Sequence, residues 1–317
     1  MKILITGIHG FVGQNLVKTL SSDHDLYGLS SSNEQMESVK KIFTWDQLDK
    51  GEVPTPDAIV HLAGKAHDTK NLAGADIYFQ VNTELTKKIF NYFSPHKEIK
   101  KFIFFSSVKA AADKVPGNIL TEEVVPAPIG PYGESKIKAE NYILDNLLNN
   151  PDIYTGREAI ILRPCMIHGP GNKGNLNLLY SFVRKGLPWP LGAFENKRSF
   201  LSIDNLSFVI SRLLNRSIPS GIYNIADDTP LSTNELINTM CRAMGKKTKI
   251  WHLNKRGIKA LTKIGDLLHL PLNSFRLDKL TENYVVSNQK LKSALNLDRL
   301  PVSSQNGLTY TIKSFSK

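Results

Sequence analysis

The first twenty residues, MKILITGIHGFVGQNLVKTL (residues 1–20), decide the fold class. Lys2–Thr6 is a short apolar run that predicts a β-strand, and Phe11–Leu20 places apolar side chains at helical spacing. The glycines of this stretch are Gly7, Gly10 and Gly13. The first permits a tight turn after the strand, the second lets backbone approach a pyrophosphate, and the third lets the helix sit against the strand. Three glycines alone would also suit an ordinary turn, but their place between a strand and a helix favours a dinucleotide-binding turn.

The first half of the chain repeats this alternation of strands and helices. Strand-like apolar segments occupy residues 25–30, 58–63, 101–107 and 158–164, and helical patterns occupy residues 76–93 and 132–148. Such alternation predicts an α/β fold with a doubly wound parallel sheet of the Rossmann type. Helices are expected on both faces of the sheet, joined to it by right-handed crossovers.

The pattern changes after Pro164. Residues 175–185 predict a helix, 198–214 a short strand and a helix, and 221–227 a further strand, whereas the chain is largely helical from about residue 229. We therefore predict a dinucleotide-binding domain and a smaller, mostly helical substrate lobe. The domain would comprise residues 1–170 and about 197–224, and the lobe about 171–196 and 225–317.

Composition excludes several classes of protein. The chain has 317 residues, 41% of them hydrophobic, with no apolar run long enough for a membrane span and no signal-peptide pattern at its start. Cys165 and Cys241 predict reduced, packed thiols. The eight histidines show no paired ligand spacing, so we expect no metal site. These features predict a soluble, cytoplasmic protein.

The formal net charge of +11 suggests an anionic partner, either nucleic acid or a phosphorylated small molecule. No nucleic-acid-binding motif accompanies the charge, so we expect no nucleic-acid partner. The densest basic stretch, residues 246–263, leads into apolar residues at helical spacing, namely Ile258, Leu261, Ile264 and Leu268. We interpret it as a packed helix with a solvated basic face, the alternative being a helix on a membrane surface. Neither interpretation implies stable membrane insertion.

The stretch PYGESKIKAE (residues 131–140) places Tyr132 and Lys136 one helical turn apart on one face. A phenol with a pKa of about 10 is a poor acid or base at neutral pH, and a nearby ammonium lowers that pKa. Ser107 lies at the carboxyl end of a predicted parallel strand, where the ligands of such sheets bind, and its hydroxyl could bond an oxygen that alternates between alcohol and ketone. The alternative interpretation of the pair is a tyrosine beside a solvated lysine, and that of Ser106 is strand-end capping.

These motifs together resemble one family. TGIHGFVG, HLAG (61–64), Asn82 in QVNTELT, FFSSV with Ser107, YGESK and LRPCMIHGPG (162–171) are similar to motifs of the extended short-chain dehydrogenase/reductases. Within these, the resemblance is to the NAD-dependent epimerase/dehydratase group, which acts on nucleotide sugars. It covers about the first 230 residues.

The resemblance implies a role for each matching residue. Tyr132 would be the acid/base, and Lys136 would hold the nicotinamide ribose and tune the tyrosine. Ser107 would orient the reacting sugar oxygen, and Asn82 would support a water relay. The implied cofactor-binding residues are Gly7, His9, Gly10, Phe11, Val12, Gly13, Ser30, Ser31, Leu62, Ala63, Gly64, Lys136 and Pro164. The implied substrate-binding residues are Ser107, Lys109, His168, Asn177, Leu178, Pro190, Leu191 and Arg198.

Arg198 would suit a diphosphate because guanidinium forms bidentate, charge-assisted hydrogen bonds. Its alternative is a surface cation before a strand. His168 stands where relatives often have tyrosine, and it suits a substrate pocket or the protein core.

The chain departs from the dehydratases of this group, which typically carry Thr-Asp-Glu where this chain has Ser107, Val108 and Lys109. Without these carboxylates, elimination of water is disfavoured. The remaining reactions are reduction of a 4-keto sugar, which we favour, and C4 epimerisation with tightly bound NAD. Ser30 stands where an acidic residue usually binds the ribose of NAD, so a 2′-phosphate would not be repelled. This favours NADP(H).

The tail, residues 275–295, resembles the C-terminal part of bacterial surface-polysaccharide enzymes that act on UDP-N-acetyl-hexosamine derivatives. It implies a UDP-linked amino sugar as substrate. Relatives often dimerise through two helices, here residues 76–93 and 132–148, which implies a homodimer. A non-catalytic dinucleotide sensor is disfavoured, because such proteins commonly lose the Tyr-Lys pair that this chain keeps.

Overall fold

Seven parallel strands form one sheet in the computed structural model of the protein, which describes residues 1–65, 74–172, 176–267 and 273–315. The strands of this sheet are β1 (Lys2–Thr6), β2 (Asp25–Ser30), β3 (Lys41–Thr44), β4 (Ala58–His61), β5 (Lys101–Phe105), β6 (Glu158–Pro164) and β9 (Gly221–Ile225). Their order is β3-β2-β1-β4-β5-β6-β9, and every neighbouring pair is parallel. The strand order reverses between β1 and β4, so the ligand crevice is expected outside their carboxyl ends.

Helices and a small second sheet complete the described chain. The α-helices are α1 (Phe11–Leu20), α2 (Trp45–Asp49), α3 (Ala75–Tyr78), α4 (Leu85–Phe93), α5 (Val108–Ala111), α6 (Pro131–Asn149), α7 (Leu176–Arg184), α8 (Ile203–Asn215), α9 (Thr233–Ala243), α10 (Lys255–Leu267), α11 (Ser274–Thr281), α12 (Gln289–Leu295) and α13 (Ser304–Ser314). A π-helix (Phe79–Glu84) joins α3 to α4, and a 3-10 turn (Pro151–Tyr154) follows α6. Strands β7 (Met166–His168) and β8 (Phe200–Ser202) pair in parallel.

Two apolar cores lie on opposite faces of the large sheet. On one face, Leu16 of α1 and Leu206 of α8 pack with inward-facing residues of the strands. On the other face, Phe90 of α4 and Ile143 of α6 pack with Phe102 of β5. Because strands buried on both faces need helices on both faces, this arrangement confirms the predicted doubly wound α/β fold.

Strands β1, β2 and β6 and helix α1 have the predicted bounds, whereas β4 and β5 each end two residues before the predicted segments 58–63 and 101–107. Two further features differ. The predicted helix over residues 76–93 contains a π-helical segment between α3 and α4. The apolar pattern does not predict β3, because two of its four residues, Lys41 and Thr44, are polar. Strand β3 lies at the edge of the sheet, and the π-helical segment belongs to the candidate site. In both places tertiary packing decides the local backbone conformation.

The C-terminal lobe has its own apolar core. Leu176 of α7, Trp189, Met240 of α9 and Ile312 of α13 belong to this cluster. The later segment 284–300, which we predict to be part of the lobe, contributes its buried apolar residues to the core beside the sheet instead. The chain therefore returns from the lobe to the sheet before it ends in α13.

Helix α10 corrects the prediction for the basic stretch. Ile258 is buried as expected, but Leu261 and Ile264 are 58% and 51% exposed, so the predicted packed face is wrong at these two positions. The buried residues of α10 are instead Ile258, Thr262 and Gly265. Their spacing of i, i+4 and i+7 places them on one helix face, which is the face that packs against the lobe. Leu268 lies outside the described residues.

None of the helices in the described ranges is both long enough and apolar enough to span a bilayer.

Candidate active site

The glycine turn has the geometry that a pyrophosphate requires. Gly7 has a φ of +67°, and a Cβ there would lie 2.7 Å from the amide nitrogen of Ala63. A Cβ on Gly13 would lie 2.4 Å from the carbonyl oxygen of Ile8, so glycine lets α1 sit directly on the turn. Gly10 caps α1 without a side-chain hydrogen bond, and the first turn holds no acidic residue. The helix N-terminus therefore offers its N–H groups to an anion, and the turn fits a dinucleotide.

Ser30 ends β2 beside this turn. His9 Nε2 donates to the carbonyl oxygen of Glu34 (2.9 Å), so its Nδ1 accepts from the Ser30 hydroxyl (3.2 Å). The N–H of Ser32 bonds the same hydroxyl (3.4 Å), and Ser31 is exposed. The end of β2 thus presents hydroxyl and imidazole groups at the position of the acidic residue of NAD-selective sites.

The remaining predicted cofactor residues border the same carboxyl edge of the sheet. Phe11 and Val12 open α1 and are partly buried. The others follow or end neighbouring strands: Leu62, Ala63 and Gly64 follow β4, and Pro164 ends β6. The fold therefore brings together residues that are far apart in the sequence.

Ser107 and Tyr132 are brought together by β5 and α6. Ser107 follows β5 and caps α5, where its hydroxyl accepts the N–H of Lys109 (3.2 Å). A hydrogen bond joins the side chains of Ser107 and Tyr132. Burial raises the pKa of Tyr132, and the bond with Ser107 opposes this rise. With its pKa raised, the phenol is a proton donor at neutral pH, and the tuning of this pKa by Lys136 stays a prediction.

Lys136 lies one turn after Tyr132 and is buried. Its Nζ donates to the carbonyl oxygen of Phe105 at the end of β5 (2.7 Å). Gly64 leaves room for this ammonium, since a Cβ there would lie 3.1 Å from Nζ. Burial lowers the pKa of Lys136 to about 8, although the carboxylate of Glu140 on the same helix opposes the change. Lys136 is therefore mostly an ammonium at neutral pH and loses its proton within the range of an ordinary enzyme assay.

Asn82 lies in the π-helix and is fully buried. Its Oδ1 accepts the N–H of Lys65 (2.7 Å), and its Nδ2 donates to the hydroxyl of Ser135 (3.0 Å). That hydroxyl donates to the carbonyl oxygen of Tyr132 (2.8 Å), and the Thr83 hydroxyl donates to the carbonyl oxygen of Ser135 (2.8 Å). These hydrogen bonds tie Asn82 to the helix that carries Tyr132. Short π-helical segments such as this one occur frequently at functional sites.

A second buried network joins the glycine turn to Asn82. The N–H of Ala63 bonds Thr6 Oγ1 (3.0 Å), whose hydroxyl donates to His61 Nδ1 (2.6 Å). His61 Nε2 donates to Thr86 Oγ1 (2.9 Å), and that hydroxyl donates to the carbonyl oxygen of Asn82 (2.7 Å). Burial, with the nearby Lys136, lowers the pKa of His61 to about 3, so the imidazole is a neutral link. His61 opens the HLAG motif, but the sequence assigns it no role.

A buried ion pair holds α6 against the sheet. Arg163 of β6 donates to both carboxylate oxygens of Glu140, with Nε at 3.0 Å and 3.1 Å and Nη2 at 2.5 Å. Both side chains are at most 1% exposed. Ser106 also donates to Glu140, so the residue before Ser107 is fixed to the helix of Tyr132. The pair therefore fixes the position of α6, which carries Tyr132 and Lys136, relative to β6.

An ionic cluster lies between α5 and the lobe. Lys109 Nζ is 3.0 Å from Asp113 Oδ1, and Lys279 Nζ lies 3.5 Å from Asp113 Oδ2. Lys279 Nζ also lies 3.6 Å from Glu282 Oε2, and Arg198 Nη2 lies 3.6 Å from Glu282 Oε1. The three cations outnumber the two carboxylates, so the cluster keeps a net positive charge. Lys109 and Arg198 are predicted substrate residues, whereas Lys279, which α11 brings to Asp113, has no signal in the sequence.

His168, a predicted substrate residue, lies in the interior rather than in an open cleft. Its side chain is 1% exposed, and Nδ1 donates to Thr311 Oγ1 of α13 (2.8 Å), whose hydroxyl donates to the carbonyl oxygen of Gly307 (2.9 Å). Nε2 lies 3.8 Å from a carboxylate oxygen of Asp227. Of the two interpretations of His168, the core residue agrees with this position.

The other predicted substrate residues lie on or under the lobe surface. Asn177 donates through Nδ2 to the carbonyl oxygen of Asn172 (2.9 Å), and Leu178 is 73% exposed on α7. Pro190 is partly buried, and Leu191 is buried in the core of the lobe. Asn177 and Leu178 thus belong to α7, and Pro190 and Leu191 belong to the loop that follows it.

Within the described ranges, no three His, Cys, Asp or Glu side chains are grouped as metal ligands would be. Cys165 and Cys241 are buried free thiols.

Comparison with known proteins gives a family match. Residues 3–226 match the model of the NAD dependent epimerase/dehydratase family. A UDP-glucose 4-epimerase of Vibrio cholerae is 30% identical over 262 residues, covering 79% of this chain and 77% of that protein. A GDP-6-deoxy-D-mannose reductase of Pseudomonas aeruginosa is 23% identical over 248 residues, covering 75% and 79% of the two chains.

Solved structures share the fold along the whole chain. The complex of UDP-glucuronic acid 4-epimerase from Bacillus cereus with NAD has a TM-score of 0.74 at 19% identity, covering 100% of this chain and 99% of that chain. RMD from Pseudomonas aeruginosa complexed with NADPH has a TM-score of 0.69 at 20% identity, covering 99% and 98%. At these identities the likeness concerns the fold.

Proposed function

Because the chain belongs to the NAD dependent epimerase/dehydratase family, we propose that it transfers a hydride between a nicotinamide cofactor and C4 of a UDP-linked sugar, as a 4-keto reductase. The observation that carries this proposal is the Ser107–Tyr132–Lys136 group at the carboxyl edge of the sheet, with a lysine at position 109 instead of a carboxylate. The Tyr132 phenol could protonate the alkoxide that develops when hydride adds to a ketone. The arrangement lacks the carboxylates expected for elimination of water.

Residues on both sides of the crevice would hold the dinucleotide. The N–H groups at the start of α1 would bind the pyrophosphate, and Lys136 would bind the nicotinamide ribose. The bound cofactor supplies the hydride. The Cβ clashes at Gly7 and Gly13 support this placement, because both positions keep backbone close to the turn.

Tyr132 would donate the proton that balances hydride addition. Reduction of a ketone needs a neutral acid beside the oxygen, and burial keeps the Tyr132 phenol protonated. Ser107 would bond the same oxygen and orient it toward the phenol. The Lys136 ammonium would stabilise the phenolate that is left until a proton returns from solvent. The Asn82–Ser135 bonds keep the start of α6 in place while this happens.

We propose NADP(H) as the preferred cofactor. Ser30, Ser31 and His9 offer hydroxyl and imidazole groups where an acidic residue would repel a 2′-phosphate. The cluster of Lys109, Lys279 and Arg198 supports a diphosphate-linked substrate, because its net positive charge suits a phosphate anion.

A 4-epimerase with tightly bound NAD is the second candidate. It is favoured by the UDP-glucose 4-epimerase relative, at 30% identity over most of both chains. The same three side chains would serve it, because epimerisation requires oxidation at C4 followed by reduction from the other face. The two candidates differ in whether the cofactor is exchanged at each turnover.

One experiment separates the candidates. The purified protein is denatured and its supernatant is assayed for NAD and NADP; the native protein is then mixed with a UDP-4-keto-6-deoxy-N-acetylhexosamine and either NADPH or NADH. A reductase gives substrate-dependent loss of nicotinamide absorbance, fastest with NADPH. Stoichiometric retained NAD with interconversion of UDP-hexose epimers and no net absorbance change would favour the epimerase. Neither result would refute hydride transfer at C4.

We also propose a cytoplasmic homodimer. Helices α4 and α6 lie side by side on one face of the sheet, so a second copy could complete a four-helix contact there. Sedimentation velocity tests this proposal, which predicts about twice the chain mass; a monomer at micromolar concentration would contradict it.

A further inference from the structure

Helix α10 has three distinct faces. Ile258, Thr262 and Gly265 form the buried line that packs against the lobe. On another line, Lys255, Lys259 and Lys263 recur every four residues, and all three are exposed. The third face is apolar and exposed, and it carries Leu261, Ile264 and Leu267 at steps of three residues. These three leucine and isoleucine side chains are 58%, 51% and 79% exposed.

Further exposed apolar side chains flank α10 in the chain. Trp251 and Leu253, just before α10, are 55% and 42% exposed. Phe275 is 70% exposed and follows Ser274, whose hydroxyl and N–H both bond Asp266 at the end of α10 (2.6 Å and 2.9 Å). Several exposed apolar side chains on one helix face mark an interaction site, whereas scattered single ones do not. We call this surface, formed by Trp251, Leu253, Leu261, Ile264, Leu267, Phe275 and the three lysines, the α10 surface.

Charge decides which partner fits. Residues 246–267 contain seven lysines and arginines and one acidic residue, Asp266. Two copies of the α10 surface would bring their basic rows together and repel, which argues against a homodimer through this face. An anionic lipid surface attracts the lysines and also accepts the apolar side chains at the boundary of headgroups and acyl chains. A lysine row beside an exposed Leu, Ile, Trp and Phe face is the pattern of helices that lie in the membrane interface.

We propose that the α10 surface docks the protein on an anionic bilayer, as a peripheral contact that spans nothing. The contact would extend to the substrate lobe, because the strand-like pairing of Trp189 with Trp251 (2.8 Å) and of Gly192 with Trp251 (3.0 Å) joins the surface to the loop of Pro190 and Leu191. Docking would therefore hold the loop predicted to bind the nucleotide sugar close to the lipid headgroups. Docking would set the location of the protein, whichever reaction its site catalyses.

Vesicle sedimentation of the whole chain tests the proposal without any substrate. We expect binding to phosphatidylcholine vesicles that contain phosphatidylglycerol, and much weaker binding to phosphatidylcholine alone. Raising the salt from about 0.1 M to about 1 M shortens the Debye length from about 10 Å to about 3 Å and should release the protein. Absence of binding to anionic vesicles at low salt would overturn the proposal.

Two triple variants assign the contact to this surface. Changing Lys255, Lys259 and Lys263 to Gln should weaken binding about 100-fold, since each basic residue near an anionic surface contributes about fivefold. The matched control changes Lys18, Lys50 and Lys97, three exposed lysines of the sheet half, to Gln and should change binding less than about threefold. Equal loss in both triples would mean that net charge alone causes binding, and it would overturn the assignment.

The apolar face is tested separately. Changing Leu261, Ile264 and Leu267 to Ser should weaken vesicle binding at least about tenfold, because these side chains would no longer enter the interface. Val125 and Ile129, which are 84% and 75% exposed in the loop before α6, provide an apolar control when changed to Ser. Unchanged vesicle binding together with a lower mass in sedimentation velocity would show that a second copy covers the face, contrary to the proposal. Retained far-ultraviolet dichroism and unfolding midpoint verify that each variant is folded.

Discussion

Polar side chains are buried around the glycine turn, whereas apolar side chains are exposed on the C-terminal lobe. Near the turn, buried polar groups bond one another: His61 joins Thr6 to Thr86, and Glu140 joins Ser106 to Arg163. In the lobe, α10 leaves three of its apolar side chains in contact with solvent. Under the two proposals, interior networks would hold the reacting side chains in place, whereas the α10 surface would set the location of the protein and the ionic cluster would bind its substrate.

The largest effect is expected at Tyr132. Tyr132→Phe removes the proton donor and keeps the ring, so kcat should fall about 10³-fold while cofactor affinity stays nearly constant. Steady-state kinetics and dinucleotide titration measure the two quantities. Tyr142→Phe, on the same helix with its hydroxyl bonded to Asn91, is the matched control and should keep kcat within about twofold. Unchanged turnover in Tyr132→Phe would contradict the assigned role.

The interior network is tested next, at Glu140. Glu140→Gln leaves the Arg163 guanidinium buried without its counter-charge, so the free energy of unfolding should fall by about 3 kcal/mol. Urea unfolding measures this change. Glu84→Gln removes the partner of an exposed pair with Lys87 and should cost less than about 1 kcal/mol. If both variants lose the same stability, the contrast between interior and surface pairs is wrong.

A smaller effect is expected from pH. Lys136 has a pKa lowered to about 8, so it is charged below that pH and loses its ammonium as the pH rises. The Tyr132 pKa is raised by burial, so this phenol stays protonated over the same interval. The value of kcat/KM, which reports the free enzyme, should therefore fall above about pH 8. A profile that is flat to pH 10 would exclude Lys136 as the titrating group.

The smallest effect is expected in the ionic cluster of Lys109, Lys279 and Arg198. Lys279→Ala removes one of the three cations of the ionic cluster, so KM for the nucleotide sugar should rise about fivefold with kcat nearly unchanged. Lys290→Ala on α12, whose Nζ lies over the ring of Tyr223 (4.9 Å), is the control and should leave KM unchanged. A fall in kcat at constant KM would mean that the cluster acts on the reaction and not on binding.

The sequence predicts the first half of the fold well because its signals are local. An apolar run, three glycines and a helical stripe within the first twenty residues suffice for β1, the turn and α1. Tyr132 and Lys136 follow from a spacing of one helical turn. The strand-end position of Ser107 follows from the rule that ligands meet the carboxyl ends of parallel strands.

The remaining features depend on contacts between distant segments. Lys279 reaches Asp113 across 166 positions, and no local pattern indicates such a pair. The π-helix around Asn82 has the same apolar pattern as an ordinary helix. In α10, both Ile258 and Leu261 fit the helical spacing of apolar residues. Only the packing of the lobe decides that Ile258 is buried and Leu261 is exposed.

The most direct test of the central claim follows the hydride itself. The protein is incubated with a UDP-4-keto-6-deoxy-N-acetylhexosamine and NADPH that carries deuterium at both hydrogens of the transferable nicotinamide carbon, and the sugar is examined by NMR and mass spectrometry. The account predicts one deuterium per turnover at C4 of the sugar, lost in Tyr132→Phe. A sugar product that carries no deuterium, or carries it at another carbon, would contradict hydride transfer to C4.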